Sequence, residues 1–270
     1  MTRLAAVQMV SGSQVKANLD EAARLIGAAA AGGARLVVLP ENFAFMPQTD
    51  ADILAVAEPE GQGPIQAFLA EQAQTHRVWL VGGTLPLAAR SPGKVRAACL
   101  LFNDRGERVA RYDKMHLFDV RLDNGEHYQE SRYFEAGNEV VVADTPCGRL
   151  GLAVCYDLRF PELFRRMLDQ GVELFAVPAA FTAHTGVAHW DVLIRARAIE
   201  NLSYIIAAAQ GGQHANGRAT YGNSMIVSPW GEVLARLPQG AGLVSAESDS
   251  AYLQSVRASL PSIQHRRLHV

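Results

Sequence analysis

Three side chains with reactive chemistry stand at the ends of apolar runs in the 270-residue sequence. Glu41 follows "LVVLP", Lys114 follows "RVARYD" and Cys155 follows "RLGLAV". If each run is a β-strand, each of these residues lies where a strand passes into a loop, which is where α/β sheets commonly bind ligands. A carboxylate, an ammonium and a thiol brought together in this way can attack a carbonyl carbon.

This chemistry depends on activation of the thiol. A thiol is a poor nucleophile until it loses its proton, and a nearby base or a helix N-terminus promotes that loss. Glu41 is the candidate base. Pro161 fits the first turn of a predicted helix, "PELFRRMLDQG", whose positive end points back toward Cys155 and favours an exposed thiolate there. Lys114 and the backbone N–H of Tyr156 are the candidate donors to the oxyanion of a tetrahedral intermediate.

The same residue types also allow a plainer interpretation. A lone cysteine at a buried strand end is usually a small hydrophobic residue, and a lone glutamate or lysine after a strand is usually a solvated loop residue. Cys99, in "RAACLLF", and Cys147, in "TPCGR", lack the strand-to-helix setting of Cys155 and are predicted to be structural. Spacing along the chain leaves open whether the three reactive residues meet.

Short apolar runs alternate with segments of helical period along the chain. Helices are predicted over "VKANLDEAARLIGAAAAGG", over "GPIQAFLAEQAQTH", from about Pro161 and around Asp191 to Asn201. Turns between paired strands are predicted at Asn103 to Glu107 and at Pro229 to Gly231. Strands are predicted over "RLAAVQM", "ARLVVLPEN", "VWLVGGT", "VELFAVPAAF" and "LSYIIAAAQ". We therefore expect a single α/β domain over residues 1–270.

Composition and charge narrow the classes of function. Hydrophobic residues make up 49% of the chain and the net charge is only −2, so a large core is expected and a basic surface for nucleic acid is not. No apolar run approaches the roughly 20 residues that cross a bilayer, so no membrane partner is expected. The three cysteines lack close pair spacing, which favours a reducing compartment. We expect a cytoplasmic protein whose partners are small molecules or other subunits.

The familiar cofactor and metal motifs are missing from the sequence. It contains no G-x-S-x-G, H-E-x-x-H, Walker or C-x-x-C motif, so no cofactor is predicted. His116 with Asp119, or His184 with His189, lacks a third ligand at a suitable spacing. We therefore predict no metal site, and hydrogen-bonding roles for His184 and His189.

The segments around the three reactive residues resemble the signature blocks of the carbon-nitrogen hydrolases of the nitrilase superfamily. These segments are "LPEN", "YDKMHLFD" and "GLAVCYDLRFPELFR". The resemblance implies a four-layer αββα sandwich, a catalytic triad of Glu41, Lys114 and Cys155, and thiolate attack on an amide or nitrile carbon. "ESRYFEAG" resembles the segment that carries a second glutamate in many members, which implies that Glu130 holds Lys114 and helps to orient substrate. A homodimer formed through helices flanking the sheets is also implied.

Further segments resemble one branch of this superfamily, whose members hydrolyse deaminated glutathione. These segments are "ENFAFMP", "FTAHTGVAHWDVLIRARAIENLSYIIAAAQGGQH", "YGNSMIVSPWG" and "LPSIQHRR". The implied reaction cleaves that amide into 2-oxoglutarate and cysteinylglycine through a thioester on Cys155. One alternative hypothesis is an ω-amidase acting on 2-oxoglutaramate, or another short-chain amidase. A non-catalytic binding protein with the same fold is a third hypothesis.

An amide substrate with a carboxylate at each end requires cations or hydrogen-bond donors in its pocket. The residues predicted by position to bind it are Tyr156, Arg159, Thr182, Thr185, His214 and Arg218. By residue type, a solvated loop charge at Arg218 and a loop hydrogen bond at His214 are equally compatible with the sequence.

Overall fold

Two β-sheets lie face to face in the computed structural model, which describes residues 1–268. Helices α1 (Val15–Ala31) and α2 (Pro64–His76) pack on the outer face of the first sheet. Helices α3 (Pro161–Asp169) and α4 (Ala183–Asn201) cover the second sheet, and α5 (Ser250–Ser259) follows the last strand. The four layers form the αββα sandwich that the family resemblance implied.

The first sheet mixes parallel and antiparallel strands. Across it the strands run in the order β15 (Gly242–Ser248), β1 (Thr2–Gln8), β2 (Leu36–Val38), β3 (Trp79–Val81), β5 (Val95–Phe102) and β4 (Leu85–Ala88), and β6 (Arg108–Asp113) also pairs with β5. The central strands β1, β2 and β3 are parallel, so their carboxyl ends lie at one edge of the sheet. Glu41 follows β2 at this edge.

The second sheet has a similar parallel centre. Its order is β14 (Val233–Leu237), β13 (Ser224–Val227), β12 (Tyr204–Ala209), β11 (Leu174–Ala179), β10 (Gly148–Leu152) and β9 (Val142–Thr145), with β10, β11 and β12 parallel. A separate hairpin is formed by β7 (Asp119–Arg121) and β8 (His127–Gln129). This hairpin connects the segment after Lys114 to Glu130.

The side chains of β1 alternate between two hydrophobic cores, which shows how the layers are held together. Leu4 and Ala6 belong to the core between the two sheets, whereas Ala5 and Val7 belong to the core beneath α1 and α2. Successive side chains of a strand point to opposite faces, so one uninterrupted apolar run serves both cores. Burial of both faces drives the helices and the second sheet onto the first sheet.

The structure extends the sequence prediction in several places. Helix α4 begins at Ala183, well before the predicted Asp191, because the Thr182 side chain caps it by accepting the Thr185 N–H. Strand β4 was not predicted; it contains Pro86 and lies at the end of the strand order, where a missing N–H is tolerated. The β7–β8 hairpin and α5 were also not predicted. Among residues 1–268, no helix has the length and apolar character needed to cross a membrane.

Candidate active site

Residues from the edges of both sheets line one cavity of about 790 Å³, measured with its open mouth. Glu41 and Lys114 come from the first sheet, after β2 and β6, and Cys155 comes from the second, after β10. Glu130 reaches the same cavity from the turn that follows the β7–β8 hairpin. The structure therefore brings together the four residues that the sequence proposed as catalytic.

Lys114 lies at the centre of this group. Its Nζ donates to Glu41 Oε1 at 2.9 Å and to Glu130 Oε1 and Oε2 at 3.0 and 2.9 Å. The side chain is only 2% exposed. Burial by itself lowers the pKa of Lys114, but the charges of Glu130 and Glu41 outweigh it and raise the pKa well above its ordinary value. Lys114 is thus a fixed, buried cation.

Glu41 is held in the form that accepts a proton. Its Oε2 accepts the backbone N–H of Ala180 at 2.8 Å, in addition to the contact with Lys114. Burial alone raises the pKa of Glu41, but Lys114, and to a smaller extent Arg218 and a hydrogen bond with Cys155, bring it below the ordinary value. The ionised carboxylate is therefore the resting form, in contact with the thiol.

Glu130 shares the same ammonium but behaves differently. Its Oε2 accepts the Phe118 N–H at 2.6 Å. Burial raises the pKa of Glu130, Lys114 opposes this, and repulsion from Glu41 adds to it, so the pKa lies above its ordinary value. The pKa values of Glu41 and Glu130 are therefore shifted in opposite directions, although both carboxylates contact the same ammonium. Such a difference is typical of paired acids that have separate roles in acid-base chemistry.

Cys155 begins a 3₁₀ turn, Cys155–Arg159, with a left-handed φ of 47°. A non-glycine residue is uncommon in that region, and such strain often occurs at functional sites. The expected exposed thiolate is wrong for the resting structure, because Cys155 is 8% exposed and burial and the Glu41 charge raise the pKa of its thiol. The predicted helix start does not offset this, since the 3₁₀ turn separates Cys155 from α3.

Two of the predicted substrate residues place a positive charge in the cavity. Arg159 lies with its guanidinium carbon 5.2 Å from the centre of the Phe181 ring, and its Nη1 is 3.2 Å from Nδ1 of His189. Arg218 donates from Nη2 to the Ala180 carbonyl at 2.6 Å. Both arginines line the cavity, so charged ligand groups can reach them.

The remaining predicted substrate residues divide into two groups. Tyr156, Thr182 and Thr185 line the cavity, with the two threonine hydroxyls 2.7 Å apart. His214 is not among the cavity residues, because its ring is buried and its nitrogens are 2.8 Å from Ser11 O and 2.8 Å from Thr220 Oγ1. We correct the prediction for His214: it ties a loop to the body of the protein, and burial lowers its pKa.

Gln210 is a site residue that the sequence analysis missed. Its Nε2 donates to the Glu41 carbonyl at 3.0 Å and to Ser11 Oγ at 2.8 Å, and its Oε1 accepts the Ser11 N–H at 3.0 Å. Gln210 therefore anchors the backbone on which Glu41 sits. The same signal that identified Glu41 was available, since Gln210 is a polar residue at the end of the apolar run "LSYIIAAAQ".

The other two cysteines have a different setting from Cys155. Cys99 is fully buried in the core between the sheets, and burial raises the pKa of Cys147 to about 11. Neither lines the cavity.

Over residues 1–268 no group of three or more His, Cys, Asp or Glu side chains is arranged to hold a metal ion.

Comparison with known proteins gives the class to which this fold and site belong. The carbon-nitrogen hydrolase family model matches residues 3–258, and the chain belongs to this family, within the nitrilase superfamily. Deaminated glutathione amidase from Synechocystis is 44% identical over 97% of this chain and 97% of its own length. The protein of the same name from Yersinia enterocolitica is 41% identical over 98% of this chain and 92% of its length. Nit3 of Saccharomyces cerevisiae, a nitrilase-superfamily member of known structure, is 31% identical with a TM-score of 0.88, covering 99% of this chain and 97% of its own.

Proposed function

We propose that the protein hydrolyses the amide bond of deaminated glutathione, releasing 2-oxoglutarate and cysteinylglycine. One observation carries the proposal: the buried network of Glu41, Lys114 and Glu130 faces Cys155 in a cavity that also holds Arg159 and Arg218. The relatives from Synechocystis and Yersinia that bear the name of this activity support the choice of substrate.

Acylation begins with the thiol still protonated. As Sγ of Cys155 attacks the amide carbon, Glu41 accepts the thiol proton, so no free thiolate accumulates before substrate arrives. The oxyanion forms beside the Lys114 ammonium and the Tyr156 N–H. The protonated Glu41 then donates to the amine nitrogen of cysteinylglycine as the C–N bond breaks, leaving a thioester on Cys155.

Deacylation uses the same groups in a second cycle. Glu41 accepts a proton from water as the water oxygen attacks the thioester carbon, and the oxyanion again forms beside Lys114. Collapse of this intermediate breaks the C–S bond and releases 2-oxoglutarate, and the proton on Glu41 returns to the Cys155 sulfur. Glu130 serves throughout as the second carboxylate that holds Lys114 in place.

The two arginines that line the cavity complement the two negative charges of the proposed substrate. Deaminated glutathione carries a carboxylate on its 2-oxo acyl part and another on its terminal glycine. Arg159 and Arg218 provide two cations for these groups, and hydrogen bonds from charged donors are about twice as strong as neutral ones. Thr182 and Thr185 supply hydroxyls beside them.

The predicted homodimer and cytoplasmic location remain part of this proposal. Val187 and Val192 of α4 are 75% and 65% exposed, and a partner packed on this flanking helix would remove their apolar side chains from water. Sedimentation of the purified protein at assay concentration tests the dimer, and a monomer at that concentration contradicts it.

A parallel substrate assay tests the proposed reaction. The kcat/KM values for deaminated glutathione, 2-oxoglutaramate and a simple nitrile are compared, and deaminated glutathione is expected to be clearly the best. A higher value for 2-oxoglutaramate would assign the chain to the ω-amidases. Hydrolysis of no amide, together with equal labelling of all three cysteines by a thiol reagent, would favour a binding protein.

A further inference from the structure

Asp157 is a fully buried acid that joins the two halves of the site. Its Oδ2 accepts the Tyr112 hydroxyl at 2.6 Å and the Val154 N–H at 2.8 Å. Its Oδ1 accepts the His116 N–H at 3.0 Å and lies 2.7 Å from Nδ1 of the same histidine. The Tyr112 oxygen in turn accepts the Met115 N–H at 3.2 Å, so its own proton is directed to Asp157. Such a set of donors matches an acceptor with two oxygens.

These partners flank the two residues whose relative position matters most. Tyr112 and His116 stand two residues before and two residues after Lys114, and Val154 immediately precedes Cys155. One carboxylate therefore fastens the segment of Lys114 and the turn of Cys155 to the same point. These two segments belong to different sheets, since Tyr112 lies in β6 and Val154 follows β10, and the Asp157 carboxylate joins them.

The contact also supports the unusual backbone of the nucleophile. Cys155 has a left-handed φ of 47°, and the turn it begins is closed by the Asp157 carboxylate on the Val154 N–H. The His116 ring stacks on Phe160 at the far end of this turn, with the ring centres 3.7 Å apart and the planes 6° from parallel. The turn is thus held at both ends by groups that meet at Asp157.

We propose that Asp157 is a positioning residue that sets the distance and orientation of the Cys155 sulfur relative to the Lys114 ammonium. The inference rests on the proposed function, because it takes Cys155 and Lys114 as the nucleophile and the oxyanion-stabilising cation. Asp157 touches neither substrate nor reacting atoms. The position that it sets matters in acylation and in deacylation, because both oxyanions form beside Lys114 on the carbon bonded to the Cys155 sulfur, and a displacement of about 1 Å can cost about 10²-fold in rate.

Asp157→Asn is the first test variant, because it keeps the shape of the side chain and replaces one acceptor oxygen with an NH2 donor, which faces the N–H of Val154 in one orientation and the N–H of His116 in the other. We expect kcat to fall about 10²-fold at a temperature where the variant is folded, with KM close to that of the parent. Tyr112→Phe removes only one hydroxyl and keeps the buried ring, so it remains testable if Asp157→Asn fails to fold. It is expected to lower kcat in the same direction by a smaller factor.

Glu58→Gln provides the matched control for a purely structural acid. Glu58 is also buried and accepts the N–H groups of Ile65 and Gln66 at 2.6 and 3.1 Å, but it caps α2 away from the cavity. This variant is expected to lose thermal stability and to keep the parental kcat in its folded state. If Asp157→Asn or Tyr112→Phe behaves in the same way, with stability lost and kcat unchanged, the positioning role is overturned.

The assay separates this inference from the choice of substrate. Parent and variants are compared on both deaminated glutathione and 2-oxoglutaramate, and the ratio of kcat values is taken with whichever amide the parent cleaves. A parent that prefers 2-oxoglutaramate contradicts the proposed substrate but leaves the ratio as the test of Asp157. A parent that cleaves neither amide overturns both.

Discussion

Lys114 donates to both carboxylate oxygens of Glu130, at 3.0 and 2.9 Å. A third hydrogen bond joins the same ammonium to Glu41, so all three of its N–H groups are engaged with carboxylates in the resting protein. An oxyanion formed on the substrate therefore competes with Glu130 or Glu41 for one of these donors. Glu130, whose pKa is raised, is the carboxylate from which a donor is more easily withdrawn.

Replacement of Glu130 by glutamine tests this arrangement. Glu130→Gln retains one acceptor for Lys114 but removes the negative charge and the bidentate contact. We expect kcat to fall by about 10²-fold with the fold intact, because Lys114 is less firmly placed. Steady-state kinetics and circular dichroism measure the two effects. Glu139→Gln, at an exposed position outside the cavity, is the control, and equal kinetics for the two variants would contradict a role for Glu130.

Cys155→Ala is expected to abolish turnover while the protein remains folded. The loss should be about 10³-fold or more, since none of the other described residues that line the cavity offers a comparable nucleophile. Cys99→Ala and Cys147→Ala should stay active, although Cys99→Ala should be less stable because it leaves a small cavity in the core between the sheets. Retention of most activity by Cys155→Ala would end the thioester mechanism.

The charge of Arg218 should influence the pH dependence of kcat/KM. Arg218 helps to hold the pKa of Glu41 below its ordinary value, and ionised Glu41 is the form that accepts the thiol proton. Arg218→Gln removes that charge, so the pKa of Glu41 rises and activity is lost at a higher pH during acidification. The acid limb of kcat/KM, which reports the free enzyme, measures the shift. Arg218→Lys keeps the charge and should leave the limb nearly in place, whereas an unchanged limb in Arg218→Gln would contradict this coupling.

Arg159 should affect binding of substrate more than chemistry. Loss of a charged hydrogen bond costs about 1.5–3 kcal/mol, which corresponds to a rise of about 10- to 10²-fold in KM for deaminated glutathione in Arg159→Gln. The kcat value should change much less. The matched control is Arg105→Gln, in the exposed turn after β5, which should leave both constants unchanged. A fall in kcat at constant KM would instead place Arg159 in the chemical step.

Sequence reasoning located the reactive trio because each member ends an apolar run. Glu41 and Lys114 could be proposed from the sequence alone, because a residue that directly follows a strand lies at an edge of the sheet, where ligands commonly bind. Glu130 follows no apolar run and lies in a short 3₁₀ turn, so only the family resemblance pointed to it. The β7–β8 hairpin brings Glu130 to Lys114, and its strands are too short to give a clear pattern in the sequence.

Other features depend on contacts between segments distant in the chain. The protonation state of Cys155 is set by burial and by Glu41 from the opposite sheet, so the local cue of a helix start predicted the wrong direction. His214 lies in a polar loop, and composition does not say whether its ring faces the cavity or the protein body. Asp157 stands inside a recognised segment, but its partners at Tyr112 and His116 became visible only when β6 and β10 were placed together.

The origin of the site in two facing sheets has a consequence for the newly made chain. Glu41 and Lys114 are contributed by one sheet and Cys155 by the other, so neither half can assemble a base, a cation and a nucleophile by itself. Hydrolytic competence appears only when the sheets dock and exclude water between them. Recovery of activity during refolding therefore reports the docking of the two sheets.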